Sequence, residues 1–148
     1  MYFRISIVLY TLVERIELDI KKSSGLIMHP TALPSKYGIG DFGNTSKEFI
    51  DFLEETSTNV WQVLPLGLTS LDEFSPYSSP SSILGNRYLI DIEQLDGFDK
   101  KNYDDGNFSK EYVEYKKVYD FKDLVFKDLS KTINPDDEIY SNFLNEEL

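Results

Sequence analysis

A chain of 148 residues with formal charge −11, 41% hydrophobic and 14% aromatic residues and no cysteine has room for one domain, or for part of one. The absence of thiols excludes a disulfide framework, a cysteine zinc site and a thiol nucleophile, and makes the cytoplasm the expected compartment. A sequence pI near 4.5 argues against nucleic acid and against an anionic membrane as partners, because both are bound through clustered Lys and Arg.

Residues 1–22 read as extended, with Ile16, Leu18 and Ile20 alternating with Glu17 and Asp19 as in a half-buried strand. The apolar stretch Ile5 to Val13 is nine residues long, whereas a membrane span takes about 20. Glu14, Arg15 and Glu17 follow it directly with no small-residue cleavage site, so export is not expected.

Leu26, Ile27 and Met28 are apolar without a polar face, which predicts a strand buried between layers, ended by Pro30. Thr31 to Gly43 is an irregular loop with Pro34, Gly38, Gly40 and Gly43. Thr45 and Glu48 have capping-box spacing, and Phe49, Ile50, Phe52 and Leu53 fall on one helical face. Val60 to Leu66 reads as a second strand closed by Pro65 and Gly67. Strand, helix, strand in this order predicts a parallel βαβ unit with a right-handed crossover.

Residues 67–88 form a second long loop rich in Ser, Pro and Tyr, and Tyr88 to Ile92 looks strand-like. From Asp91 onward eight basic and sixteen acidic residues give a charge of −8. Phe121, Leu124, Val125, Leu129 and Ile133 recur at helical spacing, predicting a helix over 118–133. Pro135 suits the first turn of another.

Loops that follow the C-terminal ends of parallel strands build binding sites, which directs attention to His29–Gly43 and Gly67–Tyr88. His29 is the only histidine. It reads as a hydrogen-bonded residue at a strand end, since one His binds metal only with carboxylate partners that the sequence does not place. The glycines at 38, 40 and 43 miss the dinucleotide fingerprint because the third comes two residues early. Trp61 fits a core position. Tyr77 lies in a Pro/Ser loop with no evident core to fill. An aromatic there offers a stacking face to a sugar ring, with Ser75, Ser79 and Asn86 as polar partners for its hydroxyls. Glycoside chemistry also needs two carboxyls, and the loop candidates are Asp41, Asp72, Glu73 and Asp91. Asp72 and Glu73 are indistinguishable from solvated surface acids. The pairs Glu54-Glu55 and Asp104-Asp105 read as solvated faces or turns.

Five segments occur in a recognisable order: Ser23-Ser24-Gly25-Leu26-Ile27-Met28-His29-Pro30-Thr31-Ala32-Leu33-Pro34, Tyr37-Gly38-Ile39-Gly40-Asp41-Phe42-Gly43, Trp61-Gln62-Val63-Leu64-Pro65-Leu66-Gly67, Ser75-Pro76-Tyr77-Ser78 and Gly85-Asn86-Arg87-Tyr88-Leu89-Ile90-Asp91. Together they resemble the 4-alpha-glucanotransferases of glycoside hydrolase family 77, the amylomaltases or disproportionating enzymes. The likeness runs from about Ser23 to the C-terminus, including Val113-Glu114-Tyr115 and Phe121-Lys122, and leaves 1–22 as an unmatched leader.

The resemblance implies an α/β fold, the N-terminal portion of a (β/α)8 TIM barrel with inserted loop and helical segments, the helical insertion starting after about residue 95. It implies transfer of α-1,4-glucan segments between maltooligosaccharides or starch- and glycogen-type glucans by a retaining double displacement, with no cofactor. Tyr77 then lies against the sugar next to the cleaved bond, with Ser75 and Asn86 as supporting neighbours. The family's nucleophile, acid/base and third carboxylate fall beyond the residues present, so the chain alone is expected to be inactive, with the remainder of the barrel as a further partner. In two places the sequence departs from the family pattern. Leu71 stands where an aromatic can serve a secondary glucan site, and Arg87 stands where Asn-Pro-Tyr is usual. A stand-alone α-glucan-binding module using Tyr77 as a platform, or a non-functional remnant, are the competing expectations.

Overall fold

A computed structural model describes residues 22–103, 107–134 and 141–142. The strand expected over 16–20, the helix expected after Pro135 and the Asp104-Asp105 pair lie outside these. The described elements are β1 (Gly25–Ile27), α1 (Asn44–Glu55), β2 (Val60–Gln62) and α2 (Tyr115–Ser130), with short 3-10 turns at Pro30–Ala32, Arg87–Leu89, Ile92–Gln94 and Lys100–Asn102.

β1 and β2 pair in parallel, with Gly25 opposite Val60, Leu26 opposite Trp61 and Ile27 opposite Gln62. The βαβ order is therefore present as expected, with α1 as the crossover. The register is fixed from outside the ladder too: the Trp61 indole N–H donates to the Met28 carbonyl at 2.8 Å, and Phe49 of α1 meets the indole edge-on at 4.9 Å.

Four expectations need correction, the last of them the bounds of α2. β1 is exposed, with Leu26 37% and Ile27 64% accessible. Its apolar run is that of a strand covered on both faces, but the described residues leave all three of its positions exposed. The helix cap is also different. α1 starts one residue earlier, at Asn44, with Gly43 as N-cap and no side-chain cap bond, so Thr45 lies inside the first turn, beyond capping position.

Nor is Tyr88 to Ile92 a strand. Asn86 Oδ1 accepts from the Tyr88 N–H and Asp91 Oδ1 from the Glu93 N–H, both at 3.0 Å, and these side chains convert the segment into two consecutive 3-10 turns. Short polar side chains that bond their own backbone two residues on compete with a ladder in this way. The outcome buries Tyr88, Leu89 and Ile92, a spacing that no strand face has.

The core sits under these turns rather than on the sheet. Ile39, Tyr88, Val118 and Tyr119 form one buried cluster, and Tyr37, Ile92 and Val125 another. α2 supplies residues to both. It begins earlier and ends earlier than the spacing predicts, and Leu124 and Ile133 are exposed while Phe121 and Leu129 pack on the second cluster.

Candidate functional site

His29 lies two residues beyond β1 and caps the turn that follows. Its Nδ1 accepts from the Thr31 N–H and lies 2.8 Å from the Thr31 hydroxyl, and its Nε2 lies 3.4 Å from the Pro65 carbonyl. The neutral ring protonated on Nε2 satisfies this set, since Nδ1 must then accept. Burial holds its pKa below 6.5, with the bond to Pro65 offsetting part of the effect. The ring is thus hydrogen-bonded at the strand end, linking the loops after β1 and β2.

The first loop closes tightly. A Cβ on Gly40 would lie 2.0 Å from the Pro30 carbonyl oxygen, a distance that only glycine permits. At Gly43 a Cβ would meet Asp91 Oδ2 at 2.4 Å and Asp41 Oδ1 at 2.9 Å. Two of the four candidate carboxylates therefore converge beside Gly43, and a retaining glycosidase needs such a pair of carboxyls. They are not free to act as one. Asp41 is 7% exposed, accepts from the Gly43 N–H at 3.1 Å and faces the Lys122 ammonium at 3.2 Å. The space between the two will not hold a methyl group, still less a sugar ring. Asp91 caps its turn and takes the Gln94 amide at 2.8 Å, and Glu73 accepts from the Ser78 hydroxyl.

Burial pushes the Asp41 carboxyl up and Lys122 opposes that push, while burial lowers the Lys122 ammonium against the pull of Asp41. Each partner resists desolvation through the other.

The second loop is pinned at its base by an antiparallel bridge between Gly67 and Gly85, extended by Leu68 N–H to Leu84 O at 3.1 Å and Asn86 N–H to Leu66 O at 2.8 Å. At its tip Ser75 Oγ accepts from the Tyr77 N–H at 3.2 Å, turning the Tyr77 ring outward to 72% exposure. Phe74 precedes this turn at φ 52°, left-handed for a residue with a Cβ, and its ring stacks on Tyr115 of α2 at 5.0 Å.

Beneath the loop lies a cavity of about 140 Å³ whose walls include His29, Thr69, Phe74, Pro76, Asn86 and Tyr119. A wider apolar groove of about 430 Å³ runs past Phe42, Leu66, Asn86, Ile90 and Leu95. Of the three residues singled out from sequence, Ser75 and Tyr77 share one turn. Asn86 is 7% exposed and borders both hollows. Pro76 and Asn86 wall the same cavity, which brings Asn86 next to the Ser-Pro-Tyr turn although nine residues separate it from Tyr77.

Sequence reasoning missed Thr69, Tyr119 and Lys122. The Tyr119 hydroxyl is 2.6 Å from that of Thr69, and burial raises its pKa. Burial likewise pushes the Tyr88 phenol up to about 12. Lys122 carried a legible signal, being a cation on the same helical face as Val118 and Val125. Among the described residues no group of three or more His, Cys, Asp or Glu converges as a metal site, and no helix is long and apolar enough to cross a membrane.

Comparison with known proteins gives a consistent result. The sequence profile of the glycoside hydrolase 77 family, described as 4-alpha-glucanotransferase, matches residues 28–147. A 4-alpha-glucanotransferase of Clostridium butyricum is 41% identical over 126 residues, 81% of this chain and 26% of that protein. One from Aquifex aeolicus is 42% identical over 125 residues, 83% of this chain and 26% of its own. The chloroplastic/amyloplastic enzyme of Solanum tuberosum is 32% identical over 131 residues, 84% of this chain and 23% of its own. Among solved structures, the amylomaltase from Streptococcus agalactiae in complex with acarbose superposes with a TM-score of 0.74 at 36% identity, covering 85% of this chain and 26% of that one. The chain spans about a quarter of the length of the curated relatives it matches. It belongs to the 4-alpha-glucanotransferase family, glycoside hydrolase family 77.

Proposed function

We propose that residues 23–148 form the N-terminal part of a 4-alpha-glucanotransferase catalytic barrel that works in the cytoplasm. Its place in the reaction is to present Tyr77, Ser75 and Asn86 to an α-1,4-glucan. The supporting observation is the Ser75-Pro76-Tyr77 turn. It holds an aromatic ring in solvent at the C-terminal side of a parallel βαβ unit, where (β/α)8 enzymes bind substrate. A ring face stacks on the C–H face of a glucose unit, and polar groups at its rim take the hydroxyls. The apolar β1 exposed to solvent supports the barrel reading, because further strands and helices would cover it.

Transfer proceeds by double displacement, with one carboxylate forming a covalent glycosyl-enzyme and a second carboxyl serving as acid and then base. Asp41, Asp91 and Glu73 are committed to internal bonds, so the 148 residues alone are expected to produce neither glucose nor longer oligomers from maltotriose. The decisive experiment replaces the matching quarter of the Streptococcus agalactiae amylomaltase with residues 23–148. A folded chimaera that disproportionates maltotriose, and loses at least about 100-fold in kcat/KM on Tyr77→Ala, supports the proposal; about 100-fold is within what one transition-state contact supplies. A folded chimaera without activity, or one indifferent to Tyr77, overturns it.

The exposed Tyr77 also suits a second reading, a glucan-binding module without chemistry. Calorimetric titration of the 148-residue chain with maltoheptaose separates the two. Saturable heat that vanishes in Tyr77→Ala, together with an inactive chimaera, favours the module.

A further inference from the structure

Beside the apolar packing of Val118 and Val125, four further residues on one face of helix α2 hold loop 67–88 and the turns after it. Tyr115 stacks on Phe74 at 5.0 Å. Tyr119 bonds Thr69 through its hydroxyl and stacks on Tyr88. Asp123 takes the Arg87 guanidinium in a two-pronged bond, 3.0 Å on each prong. Between them Lys122, with no exposed surface, donates to Tyr88 O at 2.7 Å, Ile90 O at 2.8 Å and Asp41 Oδ2 at 3.2 Å. The spacings 115, 119, 122 and 123 follow the helical period, so one rigid rod meets the loop at successive points.

Lys122 is the unusual member. Withdrawing an ammonium from water carries a penalty of several kcal/mol, and a well-packed apolar side chain in such a place is often at least as stable. Stability alone therefore does not account for a lysine here. An ammonium has three donors, and all three are used, on two carbonyls of the Asn86–Asp91 turns and on the carboxylate of the other loop. An apolar side chain of equal volume fills the space without fixing those three atoms relative to one another.

We propose that α2 is the positioning element of the site loop. Lys122 is its central positioning residue, holding the Asn86 turn and the Asp41 loop at one fixed separation. The consequence for glucan binding rests on the assignment of Tyr77 and Asn86 made above. The positioning role does not.

The test is residue-resolved amide hydrogen exchange on the 148-residue chain. Phe42 N–H bonds Leu89 O across the two loops, Tyr88 N–H bonds Asn86 and Ile90 N–H bonds Arg87, so these three amides report the clamp. Met28 N–H on Gln62 O and Thr58 N–H on Leu53 O report the βαβ unit. In Lys122→Met the first three are expected to exchange at least about tenfold faster and the last two to stay within about twofold, the pattern of a local opening. Equal acceleration of all five overturns the proposal, because Lys122 then supports only global stability. Unchanged exchange at Phe42, Tyr88 and Ile90 overturns it equally.

If circular dichroism finds Lys122→Met unfolded, Asp41→Asn reads the same contrast. Acceleration of about threefold or more at Phe42 over Met28 and Thr58 supports the role, and a uniform change or none overturns it. If the exchange pattern is as expected but the folded chimaera is indifferent to Tyr77, the glucan assignment falls and the clamp stands.

Discussion

Tyr88 and Tyr119 lie ring on ring, their centroids 3.6 Å apart and their planes inclined by 6°. Both are buried, and each carries its hydroxyl to a different neighbour: Tyr88 to Asp123 at 3.1 Å and Tyr119 to Thr69 at 2.6 Å. The stack joins the turn after the site loop to α2, and the two hydroxyls decide where along the helix the joint sits.

Removing one hydroxyl and removing the ring should therefore differ in size. Tyr119→Phe keeps the stack but strands the Thr69 hydroxyl, which is expected to cost about 1 to 3 kcal/mol. Tyr119→Ala opens a cavity and should cost about 3 to 5 kcal/mol. Urea unfolding of both variants checks the order; equal losses would mean that the ring contributes little.

Arg87 and Asp123 are 47% and 44% exposed. Their coupling in a double-mutant cycle with alanine should accordingly be about 0.2 to 1 kcal/mol, shrinking with added salt. Arg87 opens a 3-10 turn whose cap is Asn86, the position where proline is tolerated best. Arg87→Pro is thus expected to lose little more than the ion pair. A loss above about 2 kcal/mol would show that the backbone there cannot take proline.

The imidazole of His29 has a folded pKa below its ordinary value, first through burial. Protonation is thus harder in the folded chain than in the unfolded one. The neutral ring's contribution is complete above about pH 6.5 and is lost as pH falls through the lower folded value. Asp41 has the opposite slope, since its raised pKa makes a contribution that is present below the ordinary carboxylate value and lost as pH rises through the folded one. Urea midpoints measured from about pH 7.5 down to about pH 5 should fall in wild type and fall less in His29→Asn, whose amide oxygen can replace Nδ1 as acceptor. Parallel curves for the two would remove His29 as the source.

Gly43 has φ −88°, which any residue adopts, so only space forbids a side chain there. Gly43→Ala should destabilise by about 1 to 3 kcal/mol through overpacking against Asp91. Adding Asp91→Ala should recover part of that loss, measured by thermal melting. An additive pair would mean the methyl group strains something else.

The βαβ unit was legible because two apolar runs flank an amphipathic segment, and that pattern needs nothing beyond local sequence. Tyr88 to Ile92 was misread for an equally local reason: its residues suit a strand, while Asn86 and Asp91, at the margins of the run, bend it into turns. Ser75 and Tyr77 were found as loop residues and occupy one turn. The proximity of Asn86 to that turn depends on the Gly67–Gly85 bridge, a pairing that no spacing rule announces. Lys122 was passed over because its three acceptors come from segments at least thirty residues away. Its helix was recognised by periodicity; its partners are a matter of tertiary structure.

The sole indole of the chain is bonded to the Met28 carbonyl across the strand pair and wedged against Phe49. Trp61 is therefore an optical gauge of the parallel pairing. Its emission should shift to the red when β1 parts from β2, while the far-ultraviolet dichroism of α1 and α2 follows the helices. Two optical signals from one sample can then establish whether sheet and helices melt together, with no label added to the protein.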